Sequence, residues 1–109
     1  MSINPSDLIK SMLAASTGAA KGHAADLKNY LEARAKIIAD GVIQIAADRL
    51  AGKINDDDVK FSFEQIKDSE ATSLLAIDVT LKAAAQDAVN AALAVATEAI
   101  NKAVGFALL

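Results

Sequence analysis

A chain of 109 residues has the size of one domain. Hydrophobic residues make up 53% of it and aromatic residues only 4%, and the lack of cysteine excludes disulfides and cysteine-ligated zinc. The net charge of −3 indicates that nucleic acid is not the partner, because a nucleic-acid-binding surface needs clustered basic side chains.

The apolar fraction consists largely of alanine, which favours helices because ordering its side chain loses no entropy. Residues 1–10 lack the basic start of a secretory signal and contain a proline and an aspartate. The most apolar window, residues 88–109, is interrupted by Asn90, Glu98, Asn101 and Lys102, so we expect no spanning helix. The sequence therefore predicts a cytoplasmic protein that does not associate with membranes.

The first predicted helix covers residues 5–16. Asn4 is a favourable N-cap, Pro5 suits the first helical position, and Asp7 places negative charge in the first turn. The apolar residues that follow at helical spacing are Leu8, Ile9, Met12 and Leu13. These signals together predict an amphipathic helix at the start of the domain.

The stretch STGAAKGH, residues 16–23, contains two glycines and leaves two alternatives open. It interrupts the chain as a hinge, or it continues the first helix into one long arm. Glycine accommodates the positive φ values that often follow a helix. We favour the hinge.

Neither this stretch nor the acidic run of residues 55–58 forms a recognisable ligand site. The lysine and glycines of STGAAKGH are in the wrong order for a phosphate-binding loop. His23 is the only histidine, whereas a metal site needs several ligands. The aspartates at 56–58 do not alternate as calcium ligands do. We therefore predict no catalytic, cofactor-binding or metal-binding residue, and no cofactor.

The second predicted helix covers residues 24–51. Its apolar stripe consists of Leu27, Leu31, Ile38, Val42 and Ile45, at helical spacings. Gly52 follows the last residue of the pattern, as a helix C-terminus requires. A turn is therefore expected at residues 52–56.

The third predicted helix covers residues 57–104, a length of ~72 Å, because no proline or glycine occurs before Gly105. Asp56 or Asp57 would cap it, or Ser62 would cap a later start in a capping box with Gln65. We favour a start near Asp57. With the second helix, this segment forms a long antiparallel hairpin in an all-α fold.

The apolar arc of the third helix is too wide to contact a single partner. We expect two hairpins to complete a helical bundle, with a homodimer favoured over other oligomers. The residues predicted to mediate this self-association are Leu81, Ala88, Ala92, Val95 and Ala99.

Residues 105–109 form an apolar segment after Gly105. Phe106, Leu108 and Leu109 either fold back onto the end of the bundle or form a docking tail. The docking tail would bind a neighbouring copy or another protein.

These observations predict a non-enzymatic, self-associating protein with a structural, assembly or adaptor role. The compact, alanine-rich hairpin would suit a small protein of a phage or mobile element. One alternative is a helical binding module whose apolar groove accepts a partner helix or a lipid-like ligand. Another is a membrane-active helical hairpin that opens to insert.

Overall fold

The computed structural model describes residues 3–109 as an all-helical protein, which confirms the predicted fold class. Its elements are α1 (Pro5–Ala19), α2 (Lys28–Leu50), α3 (Asp56–Ser73), a 3₁₀ turn (Leu74–Ala76) and α4 (Lys82–Val104). These helices pack into a body of 43 × 24 × 20 Å. Within this part of the chain, none of the helices is both long and apolar enough to cross a membrane.

The beginning of α1 follows the sequence signals. The Asn4 side chain accepts a hydrogen bond of 3.0 Å from the Asp7 N–H, and Pro5 is the first helical residue. The helix continues to Ala19 rather than ending at residue 16, and the chain breaks from helical geometry within the second half of the stretch STGAAKGH. Lys21 and Gly22 then adopt positive φ values of 47° and 90°, which a helix cannot include.

The second helix begins at Lys28 rather than at residue 24, because residues 24–27 form turns. Ala20 and Leu27 are buried at the two ends of the α1–α2 connection and hold it against the bundle. The hydrophobic anchors of the connection therefore lie outside the helices that it joins.

The α2–α3 turn has strong local signals at both ends. Gly52 has a φ of 75°, and the Lys53 N–H donates to the Asp48 carbonyl at 2.9 Å, as in a Schellman motif. Asn55 caps α3 and forms a capping box with Asp58. The predicted caps, Asp56, Asp57 and Ser62, were wrong, although the favoured start differs from the observed one by a single residue.

The predicted continuous helix over residues 57–104 is wrong. The chain leaves helical geometry between Ser73 and Lys82, where Ile77 is extended with a ψ of 139°. Asp78 then accepts hydrogen bonds from the N–H and the hydroxyl of Thr80, at 2.9 and 2.7 Å. We name residues 74–81 the connector. This bend lets α4 fold back and bury its apolar face within the same chain.

The four helices alternate in direction. The Ser16 hydroxyl donates to the Ala88 carbonyl at 3.0 Å, so the end of α1 lies beside the start of α4. Arg34 of α2 pairs with Glu70 of α3, which are likewise antiparallel. The main core is formed by residues from all four helices, including Met12, Ile38, Val42, Val59, Phe63, Val89, Ala96 and Ile100.

The helices do not pack equally. Helix α4 packs extensively on α1 and also on α2, whereas its contact with α3 is slight. Helix α3 is therefore held mainly by α2. A bundle forms within one chain, while the predicted completion of the bundle by a second copy stays a prediction.

Residues 105–109 fold back onto their own chain. Gly105 ends α4 with a φ of 90°, and Leu108 is buried in the main core. The Leu109 N–H donates to Asn101 Oδ1 at 2.9 Å. Phe106 remains 49% exposed, so this segment contributes both to the core and to the surface.

Candidate functional site

The five residues predicted to mediate self-association do not share one open surface. Ala88 and Ala92 are buried inside the bundle, and they could contact a second copy only if the helices separated. Val95 and Ala99 line a groove of about 450 Å³ between α1 and α4. Leu81 lies in the connector, where it packs against the buried cluster around Leu27 and Leu31.

A second groove, which we name the α3–α4 seam, lies where these two helices fail to pack closely. Its volume is about 450 Å³. Val89 and Leu93 of α4 and Leu74 of the connector provide apolar lining, and Ala71 and Ala94 add small side chains. The polar members are Lys67, Glu70, Gln86, Asn90 and Thr97. The seam therefore combines a partly apolar lining with polar edges.

Residues 105–109 reach the far end of the same pair of helices. Leu108 and Leu109 line a cavity of about 340 Å³ together with Phe63 and Lys67 of α3 and Thr97 of α4. Lys67 and Thr97 also line the seam, so the two depressions adjoin. The predicted docking segment thus occupies a position between α3 and α4 of its own chain.

The connector exposes large apolar side chains beside the seam. Leu75 is 75% exposed and Val79 is 80% exposed, and Ala76 between them is also exposed. We name Leu75, Ala76 and Val79 the connector patch. Leu74, which lines the seam, directly precedes Leu75, so the patch follows the seam along the chain. Single exposed apolar residues are normal in proteins, whereas several in one short segment indicate a contact surface.

Four polar residues fix the end of α3 just before the connector. Arg34 Nε donates to Glu70 Oε1 at 2.7 Å, and a second guanidinium nitrogen donates to Glu70 Oε2. The Tyr30 hydroxyl lies 2.7 Å from Ser73 Oγ, which donates to the Glu70 carbonyl. We name Tyr30, Arg34, Glu70 and Ser73 the clamp. It joins α2 to the last turn of α3.

The carboxylate of the clamp is buried, because the Glu70 side chain is only 1% exposed. The Arg34 side chain is 18% exposed. The hydrogen bond from Arg34 to Glu70 raises the pKa of the guanidinium above its ordinary value, so Arg34 is charged at every accessible pH. A bidentate pair of this kind has a defined orientation and sets the register of the two helices.

The clamp was not predicted from the sequence, although the sequence contains a signal for it. Glu70 continues the spacing of Val59, Phe63 and Ile66, and these apolar residues mark the face of α3 that packs on α2. A charged residue on an otherwise apolar stripe indicates a buried ion pair. The partner could not be identified from α3 alone, because it lies 36 positions earlier in the chain.

The stretch STGAAKGH brings no ligand set together. His23 is exposed, with Nδ1 3.8 Å from Asp26 Oδ2, and Lys21 and Gly22 are exposed as well. In residues 3–109, no group of three or more histidine, cysteine or acidic side chains is placed to hold a metal ion. The surfaces with a distinctive arrangement are therefore the seam and the connector patch.

Comparison of the chain with known protein families, curated proteins and solved structures found no match.

Proposed function

We propose that this chain is a non-enzymatic, self-associating helical protein with a structural, assembly or adaptor role. The observation that supports it is the connector patch, in which Leu75 and Val79 are exposed beside the apolar lining of the seam. The partner with the matching surface is a second copy, because two identical patches related by a two-fold axis cover one another.

The size of the patch limits how it can act. Burying one leucine or valine side chain contributes about 1.5–3 kcal/mol. Association has to overcome roughly 4–15 kcal/mol of lost translational and rotational freedom. Contacts between two patches alone would therefore give a weak complex. A stable assembly has to bury further apolar surface of α3 and α4.

Light scattering after size exclusion, over a range of micromolar concentrations, tests the proposal. We expect a mass above 11.3 kDa that rises with concentration. The double variant Leu75→Gln, Val79→Gln should raise the dissociation constant by at least about tenfold, because the dimer loses apolar burial. Phe61→Gln is the matched control, since Phe61 is exposed on α3 at a distance from the connector.

A monomeric mass at every concentration would contradict self-association. The seam supports a second candidate function for that case, which is a binding module for an amphipathic partner helix. Small residues at Ala71 and Ala94 would let a helix backbone approach closely. Binding of a hydrophobic dye to the monomer, weakened by Ala94→Gln, would favour this second candidate, because Ala94 lines the seam and is exposed.

A further inference from the structure

The connector differs from the other two bends in a way that bears on how two copies associate. The α1–α2 and α2–α3 connections contain Gly22 and Gly52 in left-handed conformations, which no helix can include. In the connector, no residue has a positive φ, and it contains neither glycine nor proline. Its sequence, LLAIDVTL, is therefore compatible with a continuous helix.

Few hydrogen bonds hold the connector in its bent form, although Leu74, Ile77 and Leu81 also pack against the buried cluster around Leu27 and Leu31. The hydrogen bonds are two from Thr80 to Asp78, and backbone bonds from Ile77 to Leu74, from Leu81 to Asp78 and from Lys82 to Val79. All of these are local, and the Asp78–Thr80 bonds are exposed to solvent. A helix through the same residues would replace them with regular backbone hydrogen bonds.

Helix α4 itself has little contact with its own α3, and only the segment after it, through Leu108 and Leu109, lies against Phe63 of α3. Its extensive contacts are with α1 and α2, while its contact with α3 is slight. The clamp meanwhile keeps α3 on α2, through Arg34 and Glu70. The weakest helix–helix contact of the bundle is therefore the one between α3 and α4, the two helices that the connector joins.

We infer that two copies associate by exchanging α4, with the connector straightening so that residues 56–104 form one helix. This inference rests on the proposed self-association and adds its structural form. Each α4 then packs on α1 and α2 of the other copy with the contacts that it makes in the single chain. Domain exchange of this kind creates a dimer without requiring a new complementary surface.

If residues 56–104 form one continuous helix, its length prevents α4 from packing on its own α1 and α2, so α4 has to pack on the other copy. A helix of 49 residues spans about 73 Å, whereas the longest dimension of the single chain is 43 Å. The apolar face of α4, which includes Val89, Ala96 and Ile100, would then lie beyond its own α1 and α2. A second copy supplies the same α1 and α2 surfaces in return.

A straightened connector also explains why the apolar side chains of the connector patch are exposed in the single chain. Leu75 and Val79 are four residues apart, so they would share one face of the new helix. The two straightened connectors lie near the two-fold axis of an exchanged dimer, where these side chains would cover one another. The exposure of Leu75 and Val79 in the single chain is therefore removed in the dimer.

Val79→Pro tests the straightening directly. Val79 is the second residue of the turn that the Leu81 N–H closes onto the Asp78 carbonyl at 2.9 Å, a position that favours proline. The Val79 N–H donates no hydrogen bond in the part of the chain that the structure describes. The bent monomer should keep or gain thermal stability. A continuous helix would lose at least about 100-fold in its formation constant, so the dimer should disappear.

Val79→Ala is the matched variant, because it removes the same exposed side chain but favours helix. Exchange predicts that the alanine variant still dimerises while the proline variant does not. Docking through the connector patch without exchange predicts that both variants weaken the dimer equally. Equal weakening, measured by light scattering, would therefore overturn the exchange.

Cross-linking identifies which chain provides α4. The chain has no cysteine, so the double variant Ser11→Cys, Ala99→Cys provides two unique thiols on α1 and α4, at residues that line the same groove. A short bismaleimide applied to the isolated dimer should yield covalent dimers on a denaturing gel. Links within single chains, in a sample of dimeric mass, would overturn the exchange and leave self-association intact. A monomeric mass throughout would overturn both.

Discussion

The α2–α3 turn and the connector join helices of similar length but reverse the chain by different means. The turn has a left-handed glycine at residue 52 and the Asn55 capping box, which end one helix and begin the next without help from the rest of the fold. The connector has neither device, and its apolar side chains are partly exposed.

This difference indicates which bend is permanent. Local conformational preference maintains the α2–α3 turn, so it should persist even when the helices separate. The connector is maintained by packing at a distance, because α4 buries its apolar face on α1 and α2 while the clamp holds α3 in place. Changes at a distance should therefore affect the connector much more than the turn.

Arg34→Met should have the largest effect, because it leaves the buried Glu70 carboxylate without its partner. Removing one member of a buried ion pair destabilises a protein by about 3–5 kcal/mol, and the partial exposure of Arg34 favours the lower end. We expect a loss of about 3 kcal/mol in the free energy of unfolding, measured with urea. Hydrogen exchange should accelerate at the end of α3 and in the connector before it accelerates in the α2–α3 turn.

Lys102→Met provides the control for this variant. It removes an exposed ion pair in which Nζ lies 3.6 Å from a carboxylate oxygen of Glu98. Exposed pairs contribute about 0–1 kcal/mol. Equal destabilisation by the two substitutions would show that the clamp does not hold α3.

Gly52→Ala should have an intermediate effect that is confined to the α2–α3 turn. Nothing lies within 4 Å of an added Cβ, so the effect reports the φ of 75° alone. A left-handed conformation disfavours alanine by about 1–2 kcal/mol, which we expect as a lower unfolding free energy. Gly18→Ala is the control with the opposite expected effect, because Gly18 lies inside α1 and nothing lies within 4 Å of an added Cβ. This substitution should raise the unfolding free energy by up to about 1 kcal/mol. Stabilisation by both variants would contradict a locally encoded turn.

Acid should weaken the connector slightly. The Thr80 backbone N–H and hydroxyl donate to Asp78 and hold the pKa of that carboxyl below its ordinary value of 3.8. A lowered pKa stabilises the folded bend at neutral pH, and this contribution is lost as the pH falls below 3.8 through the lower folded value.

Asp78→Asn isolates this titration, because the amide oxygen still accepts hydrogen bonds but carries no charge. We expect the wild-type chain to be slightly more stable than the variant at neutral pH, and the difference to shrink as the pH falls below 3.8. Urea titrations of both proteins at several pH values provide the measurement. A difference that does not change with pH would remove Asp78 as a cause of the bend.

The candidate site was only partly predictable. The apolar positions at 106, 108 and 109 and the apolar stripe of α4 are visible in the sequence, because hydrophobic spacing marks buried faces. The seam and the clamp depend on which helices become neighbours, and spacing within one helix does not specify that. Ala88 and Ala92 were predicted to contact a second copy for this reason, whereas their burial is within one chain.

The sequence by itself determined the helical content, the N-cap at Asn4, the end of α2 at Gly52 and the burial of the α2 stripe. These are properties of neighbouring residues, for which side-chain entropy, capping and left-handed glycine are sufficient physical causes. Tertiary structure alone decided the bend between Ser73 and Lys82. A chain with one long helix would leave the apolar face of α4 in water, and burying that face against α1 and α2 outweighs the loss of continuous helix.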